Sequence, residues 1–196
     1  SLSRLGHKVE LVFGSVNVGN KIPFSKNFKV TSLKKRRVSS MFFNLIDIVK
    51  NRNFDLIFSA GDHLNAVVLL CAIISRSSIK ISCSSRVTPF DTYSNHLFSK
   101  GWILKIIMKL VMYRANVLTC VSKDMVTQYE TIFKNVKYVP IYNIVKDKES
   151  DLRVIENVDE EWLNNKKSPV IIAAGMLEPW KGFKDLIFAF KKLLKL

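Results

Sequence analysis

The sequence is poor in glycine, proline and cysteine, and each scarcity excludes a class of protein. Among its 196 residues there are 7 glycines, 5 prolines and 3 cysteines. So few glycines and prolines exclude a collagenous or low-complexity chain. The cysteines (Cys71, Cys83 and Cys120) lie in apolar stretches and show neither zinc nor redox spacing. We therefore expect buried thiols and a reducing, cytoplasmic location.

Acidic residues are also absent from long stretches. None occurs between Glu10 and Asp47, or between Asp91 and Asp124. Residues 1–140 contain 21 Lys or Arg against 7 Asp or Glu, whereas the remaining residues contain 10 against 9. The net charge of +15 is thus concentrated in the first part of the chain. This favours an anionic partner, such as phosphate groups, nucleic acid or an anionic membrane face. A solvated basic surface is the alternative.

No hydrophobic run is long enough to predict a transmembrane helix. The most apolar stretch, from Trp102 to Tyr113, contains Lys105 and Lys109. It is also shorter than the roughly 18 to 20 residues that a bilayer requires. No signal peptide is evident. Because residue 1 is serine and the last residues lie in an apparent helix, we expect both ends of the chain to be truncated.

Apolar runs of strand length alternate with stretches of helical periodicity. The pattern predicts strands over 7–13, 55–60, 79–84, 117–121 and 136–141. It predicts helices over 41–51, 64–76, 97–114 and 123–133, the last with Ser122 as its N-cap. Strands separated by helices predict right-handed crossovers and a parallel sheet covered on both faces.

The pattern changes after residue 143. Residues 144–168 mix acidic and basic side chains without a strand pattern, and we interpret them as a linker with one short helix. An apolar run over 169–174 predicts a buried strand, and a helix is expected to begin near Gly182. We therefore predict an α/β fold: a Rossmann-like N-terminal domain over 1–143, then the linker, then the first βα unit of a second Rossmann-like domain over 169–196.

The sharpest local feature is residues 170–186, VIIAAGMLEPWKGFKDL. Glycine lets the backbone approach a ligand, and a helix N-terminus offers free N–H groups to an anion. A lysine at this junction adds a positive charge suited to a phosphate. The segment indicates a phosphate site at Gly175, Lys181 and Gly182. The alternative is an ordinary strand, turn and helix with a surface lysine, which would have the same sequence pattern.

This segment resembles the VGRLxxxKGxxxLIxA segment of GT-B-fold, family-4-type glycosyltransferases, with Gly175, Leu177, Lys181, Gly182 and Leu186 among the matching positions. Four other segments resemble the family in the same order along the chain. They are LSRLGHKVELV at 2–12, FDLIFS at 54–59, ANVLTCVS at 115–122 and VPIYN at 139–143.

The resemblance implies an enzyme that transfers a sugar from a nucleotide-sugar, with retention expected. It implies that Lys181 binds the donor diphosphate, together with Gly175 and Gly182. Met176 stands where the family has an arginine, which weakens that clamp. The family's first strand with its glycine-rich loop, and its E-x7-E motif, are expected outside residues 1–196, so we expect this fragment alone to be inactive. No D-x-D motif is present, in keeping with a metal-independent reaction without a cofactor.

The loops that follow the N-terminal strands supply acceptor or phosphate-binding candidates. Ligands of open parallel sheets bind outside the carboxyl ends of the strands. Arg86 follows one predicted strand and resembles the S-x-R of family members that make bacterial surface polysaccharides. Asp62 and Asn143 follow two others. His63 reads either as a base or as the first-turn residue of a helix capped by Asp62.

Two further patterns bear on nucleotide, nucleic-acid and membrane binding. The pattern from Gly14 to Gly19 lacks dinucleotide-binding spacing and predicts a loop, and the basic run over 34–37 lacks the aromatic platform of a nucleic-acid site. Beside the amphipathic stretch over 102–114, that run suits an anionic membrane interface. A core helix whose two lysines extend to solvent is the alternative.

Together these features predict a glycosyltransferase. The expected donor is a nucleotide-sugar, in particular a UDP-sugar, and the expected acceptor is a lipid-linked glycan of bacterial surface polysaccharide synthesis. We expect it in the cytoplasm, peripheral on the inner face of the plasma membrane. The rival hypothesis is a non-catalytic basic α/β domain that binds nucleic acid or an anionic membrane. Met176 is the best support for the rival.

Overall fold

The computed structural model describes residues 2–15, 28–146, 148–156 and 160–194. The chain divides into two compact units, Ser1–Asn143 and Ile144–Leu196. The division falls where the sequence analysis ends the first domain. The first unit is a Rossmann-like α/β domain built on parallel strands.

Within the described part of the first unit, the strands form two parallel sheets. The smaller sheet pairs β1 (Val9–Phe13) with β2 (Phe28–Ser32). The larger sheet has the order β3-β4-β5-β6 and consists of Leu56–Ala60, Lys80–Ser85, Val117–Cys120 and Tyr138–Pro140. The prediction of parallel pairing is confirmed. β2 was missed because its short sequence, FKVTS, lacks a clear apolar run.

In the described residues, helices precede β3 and connect the strands of the larger sheet. They are α1 (Phe42–Asn51), α2 (Asp62–Ile74), α3 (Pro89–Thr92), α4 (Lys100–Val111) and α5 (Lys123–Ile132). The four predicted helices are confirmed, whereas α3 was not predicted. Ser122 caps α5 as expected, since its Oγ accepts a hydrogen bond from the Met125 amide at 3.1 Å. Within the described residues, no helix has the length and apolarity needed to cross a membrane.

The hydrophobic core lies between one face of the larger sheet and the helices. Leu69 and Cys71 of α2 are fully buried, as are Ile81 and Cys83 of β4. Met108 joins them from α4 and is also fully buried. The helix α2 is apolar on nearly all sides because it packs against the sheet, α1 and α4 together.

The opposite face of the larger sheet is less covered than the sequence predicts. Successive residues of a strand point to opposite faces. Leu56 and Phe58 therefore share a face, and their exposed fractions are 42% and 64%. Ile57 and Ser59 point to the covered side and are better buried. The prediction of a sheet covered on both faces is wrong for β3 in the described residues, because the core cluster packs on the other side.

A cluster of charges ties the smaller sheet to α1. The Glu10 carboxylate of β1 accepts hydrogen bonds from Arg52, just after α1, and from Thr31 of β2 at 2.5 Å. The Nζ of Lys29 lies 3.6 Å from the Oε1 of Glu10. Burial opposes ionisation of Glu10, but these partners outweigh it and lower the pKa of the carboxyl group. The carboxylate thus holds β1, β2 and the end of α1 together.

The second unit contains three helices in its described residues. They are α6 (Lys148–Val154), α7 (Glu161–Asn164) and α8 (Phe183–Leu193). The linker therefore carries two short helices where one was expected. The predicted strand over 169–174 is wrong, since these residues have no regular structure. A strand needs a hydrogen-bonded neighbour, and the described part of this unit contains no other strand.

Leu69→Ala tests the position of the core. Leu69 is fully buried at the centre of α2, so we expect the free energy of unfolding to fall by about 2–5 kcal/mol. Urea denaturation measures this. Ile74→Ala, at the exposed end of the same helix, is the control and should change stability far less. Equal losses would contradict the described packing.

The buried thiols predict how stability depends on pH. Burial raises the pKa of Cys71 and Cys120 to about 11 and that of Cys83 to about 12, above the ordinary value of 9.0 for a thiol. Above pH 9 the unfolded chain therefore loses thiol protons that the native state keeps. The free energy of unfolding should be nearly constant below about pH 8 and should fall as the pH rises through 9 towards 11.

Urea titrations over this pH range measure the slope, and Cys83→Ala should make it shallower. Stability that increases above pH 9 would contradict the burial of these thiols.

Candidate functional site

An open cleft lies at the carboxyl ends of β3 and β4. Its volume is about 470 Å³. Its lining residues come from the ends of the two strands and from the loops and helices that follow: Ala60, Gly61, Asp62, His63, Arg86, Val87, Asp91 and Thr92. This is the edge at which open parallel sheets bind ligands. The cleft contains Asp62 and Arg86, two of the residues that the sequence analysis proposed.

The turn from β3 into α2 depends on Gly61. Its φ is +91°, a conformation that favours glycine. Gly61 is the N-cap of α2, and Asp62 occupies the first helical position. The interpretation of Asp62 as the cap is therefore wrong, because Gly61 holds that position and the Asp62 carboxylate accepts hydrogen bonds from Ser85 and Tyr129 instead. His63 follows in the first turn and is exposed to the cleft.

Asp62 is buried and connects three elements beneath the cleft. Its Oδ1 accepts a short hydrogen bond from the Ser85 hydroxyl at the end of β4. Its Oδ2 accepts one from the Tyr129 hydroxyl of α5 at 2.7 Å. The Tyr129 hydroxyl also lies 3.1 Å from the Val87 carbonyl oxygen, in the loop that carries Arg86. With both oxygens engaged, Asp62 positions the floor of the cleft.

Aromatic side chains surround this carboxylate. The ring of Tyr93 meets those of Tyr129 and Phe133 edge to face, with centroids 6.3 and 5.4 Å apart. Burial, together with the negative charge of Asp62, raises the pKa of the Tyr93 and Tyr129 hydroxyls well above their usual range. Both hydroxyls therefore stay protonated at neutral pH, and Tyr129 remains a donor to Asp62.

Arg86 and Asn143 meet at the rim of the cleft. The Arg86 Nη1 donates a hydrogen bond to the Asn143 Oδ1 at 3.3 Å, across 57 positions of sequence. Both side chains are exposed. The contact leaves other N–H groups of the guanidinium free to face solvent, because one bond uses only one of its five donors. Asp62 and Arg86 therefore both line the cleft, and Asn143 joins them through its contact with Arg86.

The helix α3 contributes Asp91 and Thr92 to the lining of the cleft, and the sequence analysis did not identify either residue. Thr88 caps it, with its hydroxyl accepting from the Asp91 amide at 3.4 Å, and Pro89 follows at the first position. The Thr88 hydroxyl also donates to the Asp91 carboxylate at 2.6 Å. A threonine before a proline, with an acid three residues after the threonine, is a helix-start signal that could have identified α3.

The donor-site candidates come together in the second unit. Gly182 has a φ of +69° and is the N-cap of α8. Lys181 ends the preceding 3₁₀ turn, Pro179–Lys181. A Cβ on Gly175 would lie 3.8 Å from the Lys181 Cδ and 3.5 Å from the Phe183 ring, so all three candidates occupy one small region. The Lys181 side chain is exposed at the start of a helix.

Other residues that the sequence singled out lie apart from the cleft or are only partly described. The predicted loop from Gly14 to Gly19 is described only at Gly14 and Ser15. The basic run over 34–37 lies between β2 and α1. Among the described residues, no three His, Cys, Asp or Glu side chains are grouped as metal ligands would be.

No protein-family model matches the sequence, and no curated protein matches it either.

Asp62→Asn tests the network beneath the cleft. An amide presents a donor where Ser85 or Tyr129 now donates, so one buried hydrogen bond is lost. We expect the free energy of unfolding to fall by about 1–3 kcal/mol. Asp124→Asn is the matched control, since Asp124 also lies in the first turn of a helix but is exposed. Urea denaturation compares the two. Equal losses would mean that the helix dipole, and not the network, accounts for the effect.

Proposed function

We propose that this chain belongs to a GT-B-fold glycosyltransferase of the family-4 type. It would transfer a sugar from a nucleotide-sugar, most readily a UDP-sugar, to a lipid-linked glycan acceptor of bacterial surface polysaccharide synthesis. One observation carries the proposal. Two segments that resemble the family's acceptor-side segments supply Arg86 and Asn143, and these residues meet at the carboxyl edge of a parallel sheet.

The cleft of the first domain suits a phosphate-bearing acceptor. Arg86 provides a planar, permanently charged donor group at its rim. The Asn143 amide holds that guanidinium from one side. Below them, the Asp62 carboxylate accepts a hydrogen bond from Ser85, the residue before Arg86, and so fixes the start of the loop after β4. In this proposal Arg86 contacts the acceptor or its phosphate, whereas Asp62 is a positioning residue.

The start of α8 suits the donor diphosphate. The first N–H groups of a helix have no partners within the helix and attract anions. Lys181 adds a positive charge at this point, and Gly182 leaves the approach free of a side chain. Met176 removes the arginine that the family places nearby, so Lys181 bears a larger share of the charge stabilisation in this protein.

The proposed reaction exchanges one bond of the sugar's anomeric carbon for another. The bond to the donor diphosphate breaks, a bond to an acceptor hydroxyl oxygen forms, and the proton of that hydroxyl passes to the departing diphosphate. The electron pair of the broken bond leaves with the diphosphate. Protein charges and helix N–H groups stabilise the negative charge that develops there, as expected for a metal-independent enzyme.

Lys181→Ala tests the donor site in the full-length protein that this proposal implies. Calorimetric titration with UDP, UDP-sugars and GDP-sugars should show selective binding to the unaltered protein. The variant should bind roughly tenfold more weakly or worse, since a charge-assisted hydrogen bond is lost. Lys191→Ala, in the last turn of α8, removes the same charge away from the proposed site and should leave affinity unchanged.

Two outcomes would contradict the proposal. Equal losses in both variants would show that net charge, and not a diphosphate site, governs binding. Absence of any nucleotide response, together with salt-sensitive binding to polyanions, would favour a non-catalytic basic domain.

A further inference from the structure

We propose that the outer face of α4 is a docking surface for an anionic lipid bilayer. The surface consists of Phe98, Trp102, Ile103, Ile106 and Leu110, and we refer to it as the α4 surface. This proposal concerns where the first domain binds. It does not depend on the sugar-transfer reaction or on the donor site.

The helix α4 is apolar on more sides than the core uses. Leu104, Met108 and Val111 are the buried residues of α4, and they form the stripe that packs inward. Ile103, Ile106 and Leu110 lie on other sides of the helix and are exposed. The exposed fraction of Leu110 is 68%. A core helix needs only the inward stripe, so the outer apolar residues require another explanation.

Phe98, Ile106 and Leu110 are exposed, and with the half-buried Trp102 they form one continuous ridge. Trp102, Ile106 and Leu110 follow one another at intervals of four, which places them above each other along the helix. Phe98 extends the ridge at its amino-terminal end, with its ring centroid 5.7 Å from that of Trp102. Phe98 is 81% exposed and has a φ of +61°, which is unusual for a bulky residue.

Positive charge lies beside this ridge, with no negative charge nearby in sequence. Lys105 and Lys109 are also four residues apart and form a second stripe along the same helix. Lys105 donates a hydrogen bond to the Asn95 side chain at 2.8 Å, and Lys109 is exposed. No acidic residue occurs between Asp91 and Asp124. An apolar ridge flanked only by lysines is complementary to anionic lipid headgroups above an acyl layer.

The α4 surface adjoins the cleft. Gly101, in the first turn of α4, packs so closely on the end of α3 that a Cβ there would lie 2.9 Å from the Ser94 amide nitrogen and 3.1 Å from the Thr92 carbonyl oxygen. Thr92 also lines the cleft. A bilayer bound to the α4 surface would therefore lie next to the opening that holds Arg86, where a lipid-borne phosphate could reach it.

Sedimentation of the 196-residue chain with lipid vesicles tests this inference. One set of vesicles is phosphatidylcholine alone, and the other is equal parts phosphatidylcholine and phosphatidylglycerol. We expect binding to the anionic vesicles only. Lys105→Gln with Lys109→Gln should weaken it roughly thirtyfold, because each lysine near an anionic surface contributes about fivefold. The control pair, Lys134→Gln with Lys137→Gln, removes the same charge elsewhere on the first domain and should bind normally.

The apolar contribution is tested separately. Phe98→Asn with Leu110→Gln should weaken vesicle binding roughly tenfold or more, since both side chains lose their contact with the acyl layer. Asparagine tolerates the left-handed backbone at position 98, so the variant should fold. Phe43→Gln, which is equally exposed on α1, is the matched control and should have no effect. Circular dichroism verifies that each variant is folded.

A fluorescence measurement locates the inserted part of the chain. The chain has 3 tryptophans, and Trp162→Phe with Trp180→Phe leaves Trp102 as the only one. Its emission should shift to shorter wavelength with anionic vesicles and be quenched by brominated lipid. An unchanged spectrum on bound protein would overturn the inference.

Other results of the vesicle assay would also overturn it. Equal loss in the lysine pair and its control would mean that binding follows net charge alone. Equal binding to neutral and anionic vesicles would remove the role of the lysines. A concentration-dependent dimer that Leu110→Gln dissociates, without vesicle binding, would show that a second copy covers this surface. None of these results involves a nucleotide-sugar, so failure here leaves the proposed donor site untouched.

Discussion

The arrangement of the first domain depends on a buried carboxylate that must be fully hydrogen-bonded. An ionised carboxylate shielded from water is costly unless donors satisfy it. Asp62 meets this requirement with Ser85 at the end of β4 and with Tyr129 of α5. The same tyrosine approaches the Val87 carbonyl oxygen. Two strand ends and two helices are thereby fixed around one point, and the cleft lies directly above it. Any ligand held by Arg86 would depend on this support.

The cleft and the α4 surface of the first domain suit different kinds of ligand. The cleft offers a few polar groups at fixed positions, which suits recognition of one chemical group such as a phosphate. The α4 surface offers an apolar ridge and a stripe of lysines, which suits adsorption to a lipid layer without a specific pocket. Gly101 joins the two because it lets α4 approach the end of α3 closely. A lipid-linked acceptor would require both kinds of surface side by side, and the proposed function and the bilayer proposal are compatible for this reason.

The sequence predicted the helices of the first domain well and its strands less completely. The helices that follow β3 and β5 have long periodic patterns, and Ser122 is a recognisable cap, so α2 and α5 were found close to their true limits. β2 was missed and the strand over 169–174 was wrongly predicted. Both errors have one cause. A strand forms only if another strand lies beside it to share hydrogen bonds, and the residues of a single segment do not show whether such a neighbour exists. The Asp62 cap was wrong because Gly61 provides the turn that frees Asp62 for Ser85 and Tyr129.

The sequence by itself determined the parallel α/β class, the excess of positive charge before residue 140, and the candidates Asp62, Arg86 and Asn143, because strand ends and charges are local properties. Only the tertiary structure decided that Asp62 and Arg86 line one cleft and that Asn143 bonds to Arg86, since contacts across 57 positions depend on how the strands pair. It also decided which side of α4 is buried. Periodicity shows that a helix has an apolar side, but α4 is apolar on several sides, and only packing against the core reveals which of them remains exposed.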